Sequence, residues 1–478
     1  MISFIIAIIT LILGFIFYGR FVERFFGADD SRPTPAIEMA DGVDFTPMPT
    51  WKVFTIQFLN IAGLGPIFGA ILGAMYGPAA YIWIVLGAIF MGAVHDYFSG
   101  MLSIRNEGAS IPEIVGKYLG RGFQNFLRLF SLILLIFVGV AFVSGPAGLL
   151  ATLTNGGLSI WLYSIFAYYL IATLLPINKI IGRIYPLFGI ALLVMAIGVG
   201  GAILINGATG ALHVPELTLD SFRNMHQNPT ENLLFPMLFI VISCGALSGF
   251  HSTQSPMMAR TIKKESYGRY VFYGAMITES VVAMIWATAA MSFFDGAEGL
   301  NVAILTEGHN PAWIVNEISI TWFGKIGAIF AIIGVIAAPI TTGDTAFRSA
   351  RLTVADVFNY KQTSIKHRLI ISIPLFAVGF LLSKLEFSTI WKYLGLSNQV
   401  LATVVLWAGA MYLAKVKKPH WMLSLSAAFM TTITFTYLLV APVKNGGFFI
   451  DTSIGYWIGL AGGVLSMILF MSKAKNIQ

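Results

Sequence analysis

Two apolar segments of this chain are interrupted in their middle by glycine and proline, at matching positions of two halves. The first interruption reads Asn60-Ile61-Ala62-Gly63-Leu64-Gly65-Pro66, and the second runs from Cys244-Gly245 to Ser255-Pro256. A helix in lipid must satisfy its own backbone, so unwound backbone persists only where it faces protein or a water-filled cavity. A pair of such interruptions indicates a binding site near the middle of a membrane.

The composition places the chain in a membrane. Of its 478 residues, 57% are hydrophobic and 11% are charged, whereas soluble domains carry about 25% charged residues. Recurring apolar runs of about 20 residues predict an all-α polytopic protein with about thirteen transmembrane helices. The first run, 2–18, has no basic segment before it and no clear cleavage site after it, which indicates a retained span. The single cysteine, Cys244, excludes an intrachain disulfide and a cysteine-rich metal site.

Basic residues cluster in alternate loops, represented by Arg24, Arg121, Lys264 and Lys417, while the loop 295–310 holds acidic residues and no lysine or arginine. This alternation follows the positive-inside rule and predicts an N-terminus outside and a C-terminus in the cytoplasm. The net charge of +7 is therefore interpreted as a cytoplasmic rim, not as a surface for nucleic acid.

The interrupted spans are the second and the seventh, which are five positions apart, and because five is odd they cross in opposite directions. Spans two to six and seven to eleven are therefore predicted to form a 5+5 inverted repeat with a site at its interface. The predicted units are a peripheral first helix and loop (1–50), the two repeats (51–206 and 232–414), and two peripheral C-terminal helices (419–478).

Both interruptions resemble helix restarts, at Gly65-Pro66 and at Ser255-Pro256 with Ser255 as N-cap. Restarts leave positive half-helix ends that attract anions, and two of them suit a carboxylate-bearing substrate. Unwound carbonyls near 60–63 and 245–249 would instead hold a cation, and a kink used only for packing is the structural alternative. The predicted substrate-binding residues are Asn60, Gly63, Gly65, Gly245, Ser248, His251, Ser252, Thr253 and Gln254. Gly65, Gly69, Gly73 and Gly77 form a stripe assigned to close helix packing.

Ionisable residues inside spans are costly and are therefore functional candidates. Glu279 is a candidate carrier of a coupling proton, or else a carboxyl group bonded to a neighbouring helix. His95 and Asp96 are candidates for proton relay or an inner gate, or else a capped helix end at the interface. His251 lies in the second interruption, where a histidine can titrate or bond a substrate.

The segment from Pro339 to Thr345 carries hydroxyl groups, a carboxylate and carbonyls predicted to be unwound, which are the oxygen ligands that hard cations prefer. Thr341 and Thr342 are therefore candidates for a sodium-type site opposite the first interruption. Asp344 is a further ion-coupling candidate, and its spacing to Arg348, a gating candidate, also suits a helical ion pair.

The same segments resemble the carbon starvation protein family. The resemblance is carried by Gly92-Ala93-Val94-His95-Asp96, by the run from Cys244-Gly245-Ala246 to Met258-Ala259-Arg260, and by Pro339-Ile340-Thr341-Thr342-Gly343-Asp344. It implies a bacterial inner-membrane importer of peptides, or in some members pyruvate, used during carbon starvation. It also implies the amino acid–polyamine–organocation (LeuT-like) type of fold. The long family forms carry a C-terminal extension that this chain does not match.

These observations predict a secondary active importer of small carboxylate-bearing nutrients, coupled to H+ or Na+. No cofactor, metal ligand set, catalytic residue or nucleic-acid partner is predicted, and no Walker-type loop indicates ATP-driven transport. The expected partners are the substrate and membrane lipid, and the oligomeric state stays open. The alternatives are a membrane-embedded enzyme that uses His95, Asp96 and His251 around a metal or cofactor, and a nutrient receptor that does not transport.

Overall fold

The computed structural model describes residues 1–154, 156–174, 181–362, 364–385 and 387–475, and the regular elements of these residues are helices. The principal helices are α1 Ile2–Phe26, α2 Thr50–Ala62, α3 Gly65–Ala74, α4 Ala79–Ile104, α5 Ile111–Leu119, α6 Arg121–Thr154, α7 Leu158–Leu174, α8 Ile181–Ala208, α9 Leu234–Val241, α10 Gly249–Ala259, α11 Glu265–Phe293, α12 Pro311–Ile332, α13 Ala338–Val357, α14 Ile365–Leu382, α15 Phe387–Lys415, α16 Trp421–Val440 and α17 Thr452–Lys475.

The apolar lengths of these helices fit a membrane. Among the described residues nine helices are long and apolar enough to cross a bilayer, and the bent pair α2–α3 makes a tenth. The all-α membrane architecture is thus confirmed. The count of thirteen spans, the 5+5 repeat and the division into four units stay predictions.

The first interruption is short. α2 continues to Ala62, Gly63 leaves the helix at φ −26° and ψ −122°, and α3 begins at Gly65 with Pro66 in its first turn. The two helical pieces meet at 49°. The restart at Gly65-Pro66 is therefore confirmed, but the expectation of unwound backbone over 60–62 is wrong, because the helical hydrogen bonds persist until the glycine.

The second interruption is longer, and its restart was predicted in the wrong place. α9 ends at Val241, and α10 begins at Gly249 after the extended residue Ser248. The chain turns at Gly245, whose φ of +93° favours glycine, so the helix restarts before Ser255. Pro256 therefore lies inside α10, and His251 lies in its first turn, not in unwound backbone.

The segment around Thr341 and Thr342 is also helical, which corrects the expectation of unwound carbonyls there. Both threonines lie in the continuous helix α13, with Pro339 in its first turn. The π-helical turn Ile333–Ala337 runs directly into α13, so Pro339 lies within a continuous run of helical backbone. The segment around Thr341 and Thr342 therefore offers side-chain oxygens as possible cation ligands, because its carbonyls belong to a helix.

The glycine stripe packs the first broken helix against the second, as predicted. A Cβ atom on Gly65 would lie 2.3 Å from the side chain of Cys244, and one on Gly73 would lie 2.3 Å from that of Ile242. A Cβ atom on Gly69 would lie 3.0 Å from the carbonyl oxygen of Val241. No larger residue fits this contact without a shift of backbone or neighbours.

Candidate functional site

The two interruptions meet in the interior of the bundle. Gly65, the first residue of α3, lies directly against Cys244, and Gly245 approaches α11 so closely that a Cβ atom would lie 2.5 Å from that of Ala283. The carbonyl of Ala246 in turn lies 2.1 Å from the Cβ position of Gly92 in α4. The missing side chains let three helices and the second interruption converge.

Side chains of neighbouring helices satisfy the backbone of the second interruption. Trp83 Nε1–H donates to the carbonyl of Ile242 at 3.0 Å, and Gln399 Nε2–H donates to that of Leu247 at 3.1 Å. Asn398 Oδ1 accepts the N–H of Phe250 at 2.7 Å and so caps the start of α10. Unwound backbone is stable inside a membrane protein when it is paired in this way.

A cavity of about 140 Å³ opens beside this junction. Its lining includes Gly65, Cys244, Phe142, Asn398 and the loop residue Asn445. The described lining side chains are uncharged. Backbone dipoles and neutral polar groups therefore provide the recognition chemistry at its surface.

A chain of buried ionisable residues lies next to the junction. His95 Nδ1 and His251 Nδ1 contact the two carboxylate oxygens of Asp96 at 2.8 and 2.9 Å, and His251 Nε2 lies 3.3 Å from Glu279 Oε2. All four side chains are at most 1% exposed. Thus α4, α10 and α11 bring together residues that the sequence analysis treated separately. The capped-interface alternative for His95 and Asp96 is wrong, since both lie in the interior.

Thr342 lies opposite the first interruption, as expected. Its Oγ1–H donates to the carbonyl of Leu59 in the last turn of α2 at 3.0 Å, whereas Thr341 Oγ1–H donates to Ala338 within its own helix. The last four carbonyls of a helix lack intrahelical partners. The buried side-chain amide of Asn60 also has no hydrogen-bond partner.

Asp344 and Arg348 lie one turn apart on α13, and their described hydrogen bonds go elsewhere. Tyr185 Oη–H donates to Asp344 Oδ2. Arg348 Nη2–H donates to the carbonyl of Ala172 at 2.8 Å. Their predicted roles in coupling and gating stay predictions.

Of the predicted substrate residues, Gly65 is among the described lining of the cavity, whereas Thr253 lines a separate, smaller cavity. The hydroxyl groups of Ser252 and Thr253 bond to carbonyls of α10, and Gln254 donates to Thr253. Ser248 Oγ lies 3.6 Å from the thiol of Cys244. The substrate roles of these residues, and those of Asn60, Gly63, Gly245 and His251, stay predictions.

Sequence reasoning did not assign the site roles of Cys244, Asn398 and Gln399. The signal for the last two was available, because adjacent amide side chains inside an otherwise apolar span are costly unless they bond buried groups. Cys244 carried no such signal, since an isolated buried cysteine usually acts as a small apolar residue.

The fold and the paired interruptions define a polytopic membrane transporter. The family model of the carbon starvation protein CstA matches residues 1–203, 148–321 and 311–437. The chain belongs to this family.

Similar proteins agree with that assignment. An uncharacterized membrane protein of Haemophilus influenzae is 44% identical over 64% of this chain and 94% of its own length. The peptide transporter CstA of Bacillus subtilis is 25% identical over 96% of this chain and 93% of its own. The solved structure of a Na+-coupled sialic acid symporter shares the fold, with a TM-score of 0.55, 14% identity and 98% coverage of both chains.

Proposed function

We propose that this protein is a secondary active importer that couples the uptake of small carboxylate-bearing nutrients to a cation gradient. The observation that carries the proposal is the meeting of two interrupted helices, Gly65 against Cys244, beside a cavity. Transporters of this plan hold substrate between discontinuous helices near the membrane midplane. Import during carbon starvation, at the bacterial inner membrane, is the physiological setting that the family name supports.

The anion-attracting groups are the helix starts. α10 begins at Gly249, and its first N–H groups carry the positive end of the helix dipole. The side chains that the structure describes around the cavity carry no charge that would compete with them. Short peptides and pyruvate-like acids both carry a carboxylate that would be held there. The name of the Bacillus relative supports peptides. A peptide also needs an acceptor for its ammonium group, which the carbonyls at the end of α2 or Glu279 would provide.

Sodium has a candidate position at the end of α2. The last-turn carbonyls, the Thr342 hydroxyl group and the unpartnered amide oxygen of Asn60 are hard oxygen ligands near the negative end of a half-helix. The symporter that shares this fold is described as Na+-coupled. The proton is the other candidate cation, with Glu279 as its carrier, as predicted from the sequence.

Flux in liposomes tests the proposal. Purified protein in vesicles is given a labelled short peptide or pyruvate while the sodium and pH gradients are varied independently. We expect accumulation that depends on one gradient and on Gly65 being small. Absence of accumulation of both substrates under both gradients contradicts the proposal. Saturable binding without flux would instead support the receptor alternative.

A further inference from the structure

Three metal-ligating side chains lie together at the second interruption. The ligand atoms of Cys244, His251 and Glu279 all lie within 4.8 Å of one another. We propose that they form a binding site for a divalent transition metal of the Zn²⁺ type. Thiolate sulfur, imidazole nitrogen and carboxylate oxygen are the three ligand classes that Zn²⁺ takes in proteins.

Two of the three groups lack a well-oriented hydrogen bond. Among the described residues, His251 Nε2 and the carboxylate oxygens of Glu279 make no hydrogen bond of good geometry, although the two side chains approach to 3.3 Å and Glu279 faces the backbone of Gly245. Buried polar atoms are nearly always paired, so several unpaired atoms that converge on one point need an explanation. A metal ion between them would coordinate these atoms.

The surroundings of His251 also fit a ligand. His251 Nδ1 lies 2.9 Å from Asp96 Oδ2, and the neutral tautomer in which Nδ1–H donates to this carboxylate has its lone pair on Nε2, the nitrogen that lies 3.3 Å from Glu279. His95 contacts the other oxygen of Asp96 at 2.8 Å. A carboxylate behind a ligating histidine fixes the tautomer and the ring orientation, as in many zinc sites.

The site lies beside a cavity and leaves an open coordination position. Cys244 lines the cavity, whereas His251 and Glu279 are fully buried. A tetrahedral ion held by three side chains keeps a fourth position for water or a substrate carboxylate. A bound ion would tie the second interruption to α11. If the proposed function holds, it would therefore inhibit transport by holding one conformation.

Cobalt absorption provides a direct test, because Co²⁺ replaces Zn²⁺ and a Co²⁺–thiolate bond gives a charge-transfer band. The chain has one cysteine, so any such band reports Cys244. We expect the purified full-length protein to develop the band on titration with Co²⁺, and Zn²⁺ to abolish it. Cys244→Ser should lose the band, and Glu279→Gln should weaken Co²⁺ binding at least tenfold.

The chain offers a matched control in the exposed pair His309 and Glu307, whose side chains are 3.4 Å apart. Glu307→Gln should bind Co²⁺ as the unaltered protein does. Absence of the band in the unaltered protein, or an undiminished affinity in a folded Glu279→Gln variant, overturns the site.

The regulatory part is tested separately by flux. Zn²⁺ should lower uptake by the unaltered protein and by Glu307→Gln, whereas the ratio of uptake with and without Zn²⁺ should return to near one in Cys244→Ser. A band without inhibition overturns the regulatory role alone. Failure of metal binding leaves the proposed transport function untouched.

Discussion

The two interrupted helices differ in how their breaks are held. The first break is two residues long and is packed by glycine contacts, and Thr342 provides one side-chain hydrogen bond to it. The second is seven residues long, from Ile242 to Ser248, and side chains of other helices satisfy its backbone. One break is thus held by close packing and the other by directed hydrogen bonds.

This difference indicates a division of roles. Trp83, Asn398 and Gln399 fix the backbone around the second break, which carries Cys244, and His251 follows it in the first turn of α10. We infer that the first break, with its glycine contacts and an Asn60 amide that has no partner among the described residues, is the one that moves and accepts a ligand. We therefore expect substitutions at the first break to affect transport and those at the second to affect stability.

The largest expected effect is at Gly65. Gly65→Ala places a Cβ atom 2.3 Å from Cys244, and overpacking of this kind costs about 1–3 kcal/mol. We expect uptake to fall at least tenfold, because the junction must open. Gly201→Ala is the matched control, since a Cβ atom there has no neighbour within 4 Å. Equal uptake by the two variants in liposomes would refute the role of the close contact.

Gln399 and Gln57 provide the sharpest test of the comparison. Gln399→Leu leaves the carbonyls of Phe239 and Leu247 without their donor, and each buried unpaired group costs about 1–3 kcal/mol. The side-chain amide of Gln57 in α2 has no hydrogen-bond partner among the described residues, so Gln57→Leu should be much less destabilising. Thermal unfolding in detergent measures both. A larger loss in Gln57→Leu would contradict the division between the breaks.

The sequence predicted the parts of this site that depend on local backbone chemistry. The restart at Gly65-Pro66 and the glycine stripe follow from residue type and spacing alone. The restart at Ser255-Pro256 was wrong because the positive φ of Gly245 turns the chain earlier, and Ser255 Oγ–H bonds to the carbonyl of His251 beside the tolerated proline. The pairing of Asp96 with His251 joins residues 155 positions apart, so it depends on helix packing that one sequence does not display.

A smaller effect is expected at α13. Thr342→Val removes the hydroxyl group that contacts the end of α2, whereas Thr341→Val removes a contact within one helix. Loss of one such ligand costs about 1–1.5 kcal/mol of cation-binding free energy, which corresponds to about a tenfold weaker affinity. We expect the sodium concentration for half-maximal uptake to rise about tenfold in Thr342→Val and little in Thr341→Val. Equal shifts in the two variants would show that the end of α2 is not part of the sodium site.

The smallest expected effect is in the loop before α9, where it packs against the end of the first broken helix. His226 packs against Tyr76 with ring centroids 5.0 Å apart, and its Nδ1 accepts the N–H of Asn228 at 3.1 Å. Burial lowers the pKa of His226 to about 4, from an ordinary value of about 6.5. The folded loop thus favours the neutral ring. The stabilisation of the loop by His226 is therefore fully present above pH 6.5 and declines as the pH falls toward 4.

Hydrogen exchange of the Gln227 and Asn228 amides, corrected for intrinsic rates, measures this decline. Protection should be constant above pH 7 and fall between pH 6.5 and 4 in the unaltered protein, and His226→Gln should remove the change over this range. The Phe250 amide at the start of α10 should keep its protection over the same range, because its acceptor Asn398 Oδ1 carries no titratable proton. A parallel loss of protection at this amide and in the His226 loop would show that the two regions are not held independently.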